Sequence, residues 1–286
     1  MAFSVKRSAL LVIVLVLAAC ASRKVVPESI VLADYGVGVE RLELTRTAYF
    51  PQAEHFSAAE ALAMILYTEA APVVPSEVGA LDASVDAPAL KPALLAAALK
   101  RGQVPYPLAP RLQDIVTELK AEHPVLVLLN LGSADLPAWR YAVVIGFEPA
   151  TESLLLRAGT EGRVRLTPRE FLKAWHAGGD WAVVATPPSA FPATATMEKW
   201  IAASEGFSGV GKPQLAETAA QAAQTRWSDQ VLPWMALGNA PTSDATISAL
   251  LARAECPDPT ARRHIQWALT RQQSATDRKS TSPMHA

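Results

Sequence analysis

Pro124-Val125-Leu126-Val127-Leu128-Leu129, followed after a polar stretch by Arg140-Tyr141-Ala142-Val143-Val144-Ile145-Gly146, decides how this chain folds. Both runs are short, β-branched and apolar on consecutive positions. That pattern belongs to strands buried on two faces. Further short strands are expected at Ser153–Leu156, Val164–Leu166 and Trp181–Val184. Ahead of them the apolar period is helical. Ala58, Ala61, Leu62, Ile65 and Leu66 fall on one face of a helix expected over Ser57–Tyr67, and Leu90–Leu99 and Leu112–Leu119 are two more. Thr167-Pro168-Arg169-Glu170 reads as a helix start, with Thr167 as cap, proline in the first turn and Glu170 as capping-box partner. Helices first and sheet second give an α+β order.

Beyond Pro187-Pro188 and Pro192 only helical stretches follow. Gln214–Trp227 is strongly helical, and Trp234-Met235-Ala236-Leu237-Gly238 has the Trp-x-x-Leu-Gly spacing that opens a tetratricopeptide unit. Leu250–Ala254 and Ala261–Leu269 supply material for further helices, and Trp227, Trp234 and Trp267 are aromatic candidates for packing or contact. The expected organisation is 1–19 leader, 20–46 tether, 47–188 α+β domain, 189–273 all-helical tetratricopeptide-like region and 274–286 polar disordered tail.

The leader is read from Lys6 and Arg7, an apolar run from Ala9 to Ala19 too short to span a bilayer, and Leu17-Ala18-Ala19-Cys20. This resembles the bacterial lipoprotein signal. The resemblance implies cleavage before Cys20, acylation of its thiol and a membrane anchor. Ala21-Ser22, with no aspartate, implies the outer membrane, at the periplasmic face of the envelope. Without residues 1–19 the chain carries 24 basic and 27 acidic side chains, the full chain having 26 and 27 and the leader Lys6 and Arg7. No basic excess points to nucleic acid. With Cys20 acylated, Cys256 is left alone, so no intrachain disulfide or thiolate zinc site is expected. His55, His123, His176, His264 and His285 show no metal-ligand spacing, no glycine-rich phosphate loop is present, and no cofactor or metal is expected. His123 and His176 read as surface or capping residues.

Phe50-Pro51-Gln52 and His55-Phe56-Ser57-Ala58-Ala59-Glu60-Ala61-Leu62-Ala63, taken with Leu108-Ala109-Pro110 and the two strands quoted first, resemble the bacteriocin-processing (double-glycine) peptidase family. The lipoprotein branch, where a papain-like domain precedes tetratricopeptide repeats, is the nearest in organisation. The resemblance implies a papain-like cysteine peptidase fold, with a central helix packed on an antiparallel sheet. It places Gln52 at the oxyanion-supporting glutamine, Ser57 at the nucleophilic cysteine, and Arg140 at the histidine that starts the strand before Tyr141. The residue that orients the histidine has no counterpart in Leu156-Arg157-Ala158-Gly159-Thr160.

Chemistry then separates fold from activity. A hydroxyl needs a base to become a nucleophile, and a guanidinium stays protonated at physiological pH. The expected function is a catalytically inactive, pseudopeptidase-like envelope lipoprotein that binds or scaffolds a peptide or protein partner. An active hydrolase using Ser57 with another base, and a purely structural lipoprotein, remain as alternatives. Ser57 and Glu60 also suit a capping box for the central helix, worth about 1 kcal/mol. Arg140 reads either as a solvated strand-start arginine or as a cation beside that helix's N-terminus, able to hold a carboxylate. Gln52, Ser57, Glu60, Arg140 and Tyr141 are the expected peptide-binding set.

Overall fold

The computed structural model describes residues 26, 29–51, 58–67, 71–78 and 87–227. Seven strands, all antiparallel, form one sheet: β1 (Leu42–Glu43), β2 (Val104–Pro107), β3 (Val125–Asn130), β4 (Trp139–Glu148), β5 (Ser153–Ala158), β6 (Glu161–Leu166) and β7 (Ala182–Thr186). Their order is β2-β7-β3-β4-β5-β6, and β1 pairs with β4 at Phe147 and Gly146, beyond the end of β3. The helices are α1 (Ala58–Leu66), α2 (Pro75–Val78), α3 (Lys91–Lys100), α4 (Leu112–Lys120), α5 (Pro168–Ala177), α6 (Met197–Gly209) and α7 (Pro213–Arg226). The chain is an α+β protein.

Both faces of the sheet are covered, as two-sided apolar strands require. Alternation along β3 sends Leu126 and Leu128 into one buried cluster, with Ala58, Leu62 and Ile65 of α1 and Leu94 and Ala98 of α3. Val125, Val127 and Leu129 point the other way, onto Ile115, Val116 and Leu119 of α4 and Phe171 and Trp175 of α5. β4 does the same: Tyr141, Val143 and Ile145 face α1, whereas Ala142 and Val144 face α4 and α5. Trp200, Ile201 and Phe207 of α6, with Ala219 and Ala223 of α7, complete the α4–α5 cluster. The first two helices after the proline pair are therefore packed on the sheet's own core.

Local signals explain most element ends. Thr167 accepts from the Glu170 amide (3.3 Å), and the Glu170 carboxylate accepts from the Thr167 amide (2.9 Å), so the expected capping box heads α5. These bonds from Thr167 hold the Glu170 carboxyl below its ordinary pKa. Part of the segment read as a tether is docked: Leu32 is buried in a 3-10 turn at Leu32–Tyr35, Val26 packs on the α4–α5 cluster, and β1 joins the sheet. Cys20 lies outside the described residues, as do the expected units at Trp234–Gly238, Leu250–Ala254 and Ala261–Leu269.

Candidate functional site

β4 carries the residues of interest at its beginning. Its pairing with β3 runs Asn130↔Trp139, Leu129↔Arg140 and Leu128↔Tyr141, and with β5 it includes Val143↔Arg157. The start of β4 and the β5–β6 turn at Gly159-Thr160 thus share one end of the sheet. The β3–β4 loop and the turn entering β7 lie at this end as well, since the Trp181 carbonyl accepts from the Leu128 amide (3.3 Å).

Each expected site residue has a definite place or lies outside the described set. Gln52 and Ser57 fall outside it, so neither the cap at Ser57 nor its approach to a base is described. Glu60 is half-buried in the first turn of α1. Tyr141, expected to contact peptide, is instead a core residue. Its side chain has no exposed surface, its hydroxyl donates to the Ala87 carbonyl (2.6 Å), and its ring meets Trp181 edge-on with centroids 5.8 Å apart. Arg140 is half-buried, and by alternation it shares the sheet face of Ala142 and Val144 rather than the α1 face of Tyr141. Its Nη1 comes to 3.7 Å from the position a side chain on Gly159 would take.

On the α1 face, Arg157 is the group the sequence reading registered only as a missing acid. Its Nη1 donates to the Gly162 carbonyl (3.1 Å), and its guanidinium carbon lies 5.8 Å from the centre of the Tyr49 ring. Its Nε is buried with no partner. Desolvation pulls its pKa down, opposed by the negative charge of Glu43. Tyr49 in turn donates to the Gly159 carbonyl (3.3 Å) and lies against Gly162, where an added Cβ would stand 3.3 Å from its ring.

The neighbouring arginines are committed. Arg163 and Arg41 both bind the Glu43 carboxylate, and Arg165 binds Glu148 (2.9 Å). Across the sheet, Lys91 Nζ stands 5.9 Å from the centre of the Trp181 ring, and burial lowers its pKa. His176, at the end of α5, hydrogen-bonds Asp180.

His123 was expected at the surface or as a cap. It is partly buried and serves as one donor to a carboxylate the sequence reading missed. Glu118 of α4 has no exposed surface, and it accepts from His123 Nδ1 (2.7 Å), the Thr194 amide (2.7 Å), the Thr194 hydroxyl (2.6 Å) and the Ala193 amide (3.1 Å). Desolvation pushes its pKa up, but the bonds from His123, Thr194 and Ala193 outweigh that and hold it below the ordinary value. Only the tertiary fold could reveal this group, because its backbone partners lie in the connection between β7 and α6. Among the described residues no cluster of three or more His, Cys, Asp or Glu could hold a metal, and no helix is long and apolar enough to cross a membrane.

A solved structure described as a candidate C39-like peptidase from Bacillus anthracis is similar to this chain. It is 16% identical, with a TM-score of 0.42, over 51% of this chain and 98% of that one. No family model matches the chain, and no curated protein matches it.

Proposed function

We propose that the chain is a non-catalytic relative of the bacteriocin-processing peptidases, anchored in the bacterial envelope through Cys20, that binds a peptide or protein partner. The observation that carries this reading is the start of β4. The family resemblance puts its general base at the residue before Tyr141, and that residue is Arg140, in register with Leu129. A guanidinium cannot accept a proton at physiological pH, so it can neither activate Ser57 nor hand a proton to a leaving amine. The Arg157-Ala158-Gly159 end of β5, where the resemblance seeks an acid or amide to orient the base, holds a cation.

The test uses the full chain purified in detergent and incubated with a peptide mixture, including peptides that carry a double-glycine site, with products read by mass spectrometry. Intact peptides, some of them retained by the protein, are expected. Cleavage that disappears in Ser57→Ala would overturn the reading. The anchor is checked separately, by incorporation of labelled fatty acid that is lost in Cys20→Ala.

A further inference from the structure

We propose that the sheet end formed by the start of β4, the β5–β6 turn and the entry to β7 is an anion-binding edge that holds an extended acidic peptide through Arg157 and Lys91 on the α1 face, with Arg140, which lies on the opposite face, contributing from beside the Gly159 turn. It rests on the reading of the chain as a non-catalytic binder of peptides and names the chemistry of what is bound.

Three observations point there. First, the arginines of β5 and β6 differ in their carboxylate contacts. Arg163 and Arg165 are ion-paired with Glu43 and Glu148, while Arg157 has no ion pair among the described residues and bonds a carbonyl beside an aromatic face; its Nε, like that of Arg163, is buried without a partner. A half-buried guanidinium without a carboxylate is costly in a free protein and favourable once an anion arrives. Second, the other cations at this end are also uncommitted. Among the described residues neither Arg140 nor Lys91 has a carboxylate partner, and Lys91 lies over Trp181 much as Arg157 lies over Tyr49. A ring face attracts a cation and helps to position it without neutralising its charge. Third, the spacing suits a chain. Arg157 stands on β5 and Lys91 beside Trp181 at the entry to β7, three strand positions away in the sheet order β5-β4-β3-β7. At roughly 4.8 Å per strand this is on the order of 14 Å, the reach of four or five extended residues.

Half-buried Trp139 and Trp181 lie on this face between the two cations and offer stacking surface to the intervening residues. Glu43 acts on Arg157 through its charge but is bound directly by Arg163 and Arg41, and the acidic groups at the same end make no ion pair with Arg157, Arg140 or Lys91 among the described residues. Asp180 is hydrogen-bonded to His176, and Asp135 and Glu161 are exposed. The whole chain has a formal net charge of -1, so its overall charge supplies no attraction for acidic peptides.

The test measures binding of a fluorescent pentapeptide with alternating glutamates, and of its glutamine counterpart, to the full chain in neutral detergent. The glutamate peptide should bind at least tenfold tighter, and added salt should erode the difference. Arg157→Gln, Arg140→Gln and Lys91→Gln should each lower its affinity three- to tenfold, whereas Arg111→Gln, at the N-cap of α4 and paired with Asp114, should not. Arg157→Lys guards against a folding defect, since it should regain part of the affinity lost in Arg157→Gln.

Equal binding of the two peptides, or affinity unchanged in all three variants, would overturn the edge while leaving a non-catalytic binder intact. Displacement of the peptide by inorganic phosphate as effectively as by unlabelled peptide would overturn the peptide assignment. Cleavage of either peptide would instead overturn the non-catalytic reading, and a charge preference in the KM of that cleavage would still support the edge.

Discussion

Removing the carboxylate of Glu118 should unfasten the connection between the sheet and the helical hairpin α6–α7. In Glu118→Ala the Ala193 and Thr194 amides, the Thr194 hydroxyl and the His123 ring lose a shared acceptor that has no exposed surface. Each buried donor left unsatisfied costs about 1–3 kcal/mol. Water entering the vacated space recovers part of that, so the net loss is about 3–4 kcal/mol, as for removing one partner of a buried charged pair. For a body of this size this is a fall of about 10 °C in Tm. Glu118→Gln keeps one acceptor oxygen but turns an amino group toward at least one donor, and should lose about 2 kcal/mol.

The pH dependence carries a second signature of the same group. The folded pKa of Glu118 lies below its ordinary value of 4.5, so its stabilisation is complete above that value and is lost as pH falls through the folded pKa. Urea denaturation from pH 7 to pH 3 should show this acid slope in the wild type and a shallower one in Glu118→Gln. Hydrogen exchange should report faster amides at Ala193, Thr194 and Thr196 in Glu118→Ala. A Glu118→Ala chain within about 1 kcal/mol of wild type at pH 7, with those amides still protected, would refute the reasoning.

Thr167→Ala removes one half of the capping box on α5 and should cost about 1 kcal/mol in urea denaturation. Gly146→Ala places a methyl against the Leu42 carbonyl and the Glu43 Cα, so β1 must leave β4; faster exchange at the Leu44 amide, which donates to the Ile145 carbonyl (2.8 Å), is the measurement. Trp200→Ala empties a fully buried site beside Phe191 and cuts the indole bond to the Ala219 carbonyl (3.2 Å). A loss of about 3–5 kcal/mol is expected, read by thermal denaturation with α7 the first helix to lose protection.

What could be read in advance was whatever a short window contains. β3 and β4 announce themselves because a strand buried on both faces must be apolar at every position, and the α5 cap because all its partners lie within four residues. β2 was invisible for the opposite reason. Pro105 and Pro107 argue against a strand, yet β2 lies at the sheet edge, where residues without an N–H are tolerated, and it pairs with β7 from Val104 to Pro107. Its role is anchored by Tyr106, whose hydroxyl donates to the Thr194 carbonyl (3.2 Å) and accepts from the Thr196 amide (3.0 Å), contacts a local reading cannot supply. Arg140 was found because it interrupts a pattern at a known place. Arg157 looked like a simple absence, and only its neighbours Tyr49 and Gly162 turn it into a positioned cation.

The two-sided greasiness of β3 has one more consequence. Sliding Val125–Leu129 by one residue would trade one apolar face for another, so hydrophobic alternation gives this strand almost no protection against a register slip. The correct alignment has to be enforced at its end. Asn130 does this: its Oδ1 accepts from the amides of Gly132 (3.0 Å) and Ala138 (2.9 Å), its Nδ2 donates to the Ser133 carbonyl (3.4 Å), and a side chain on Gly132 would collide with the Leu136 carbonyl. The loop from 131 to 138 is therefore a ratchet pawl for the central pair of strands. Without it, Arg140 could stand opposite Leu128 as readily as opposite Leu129.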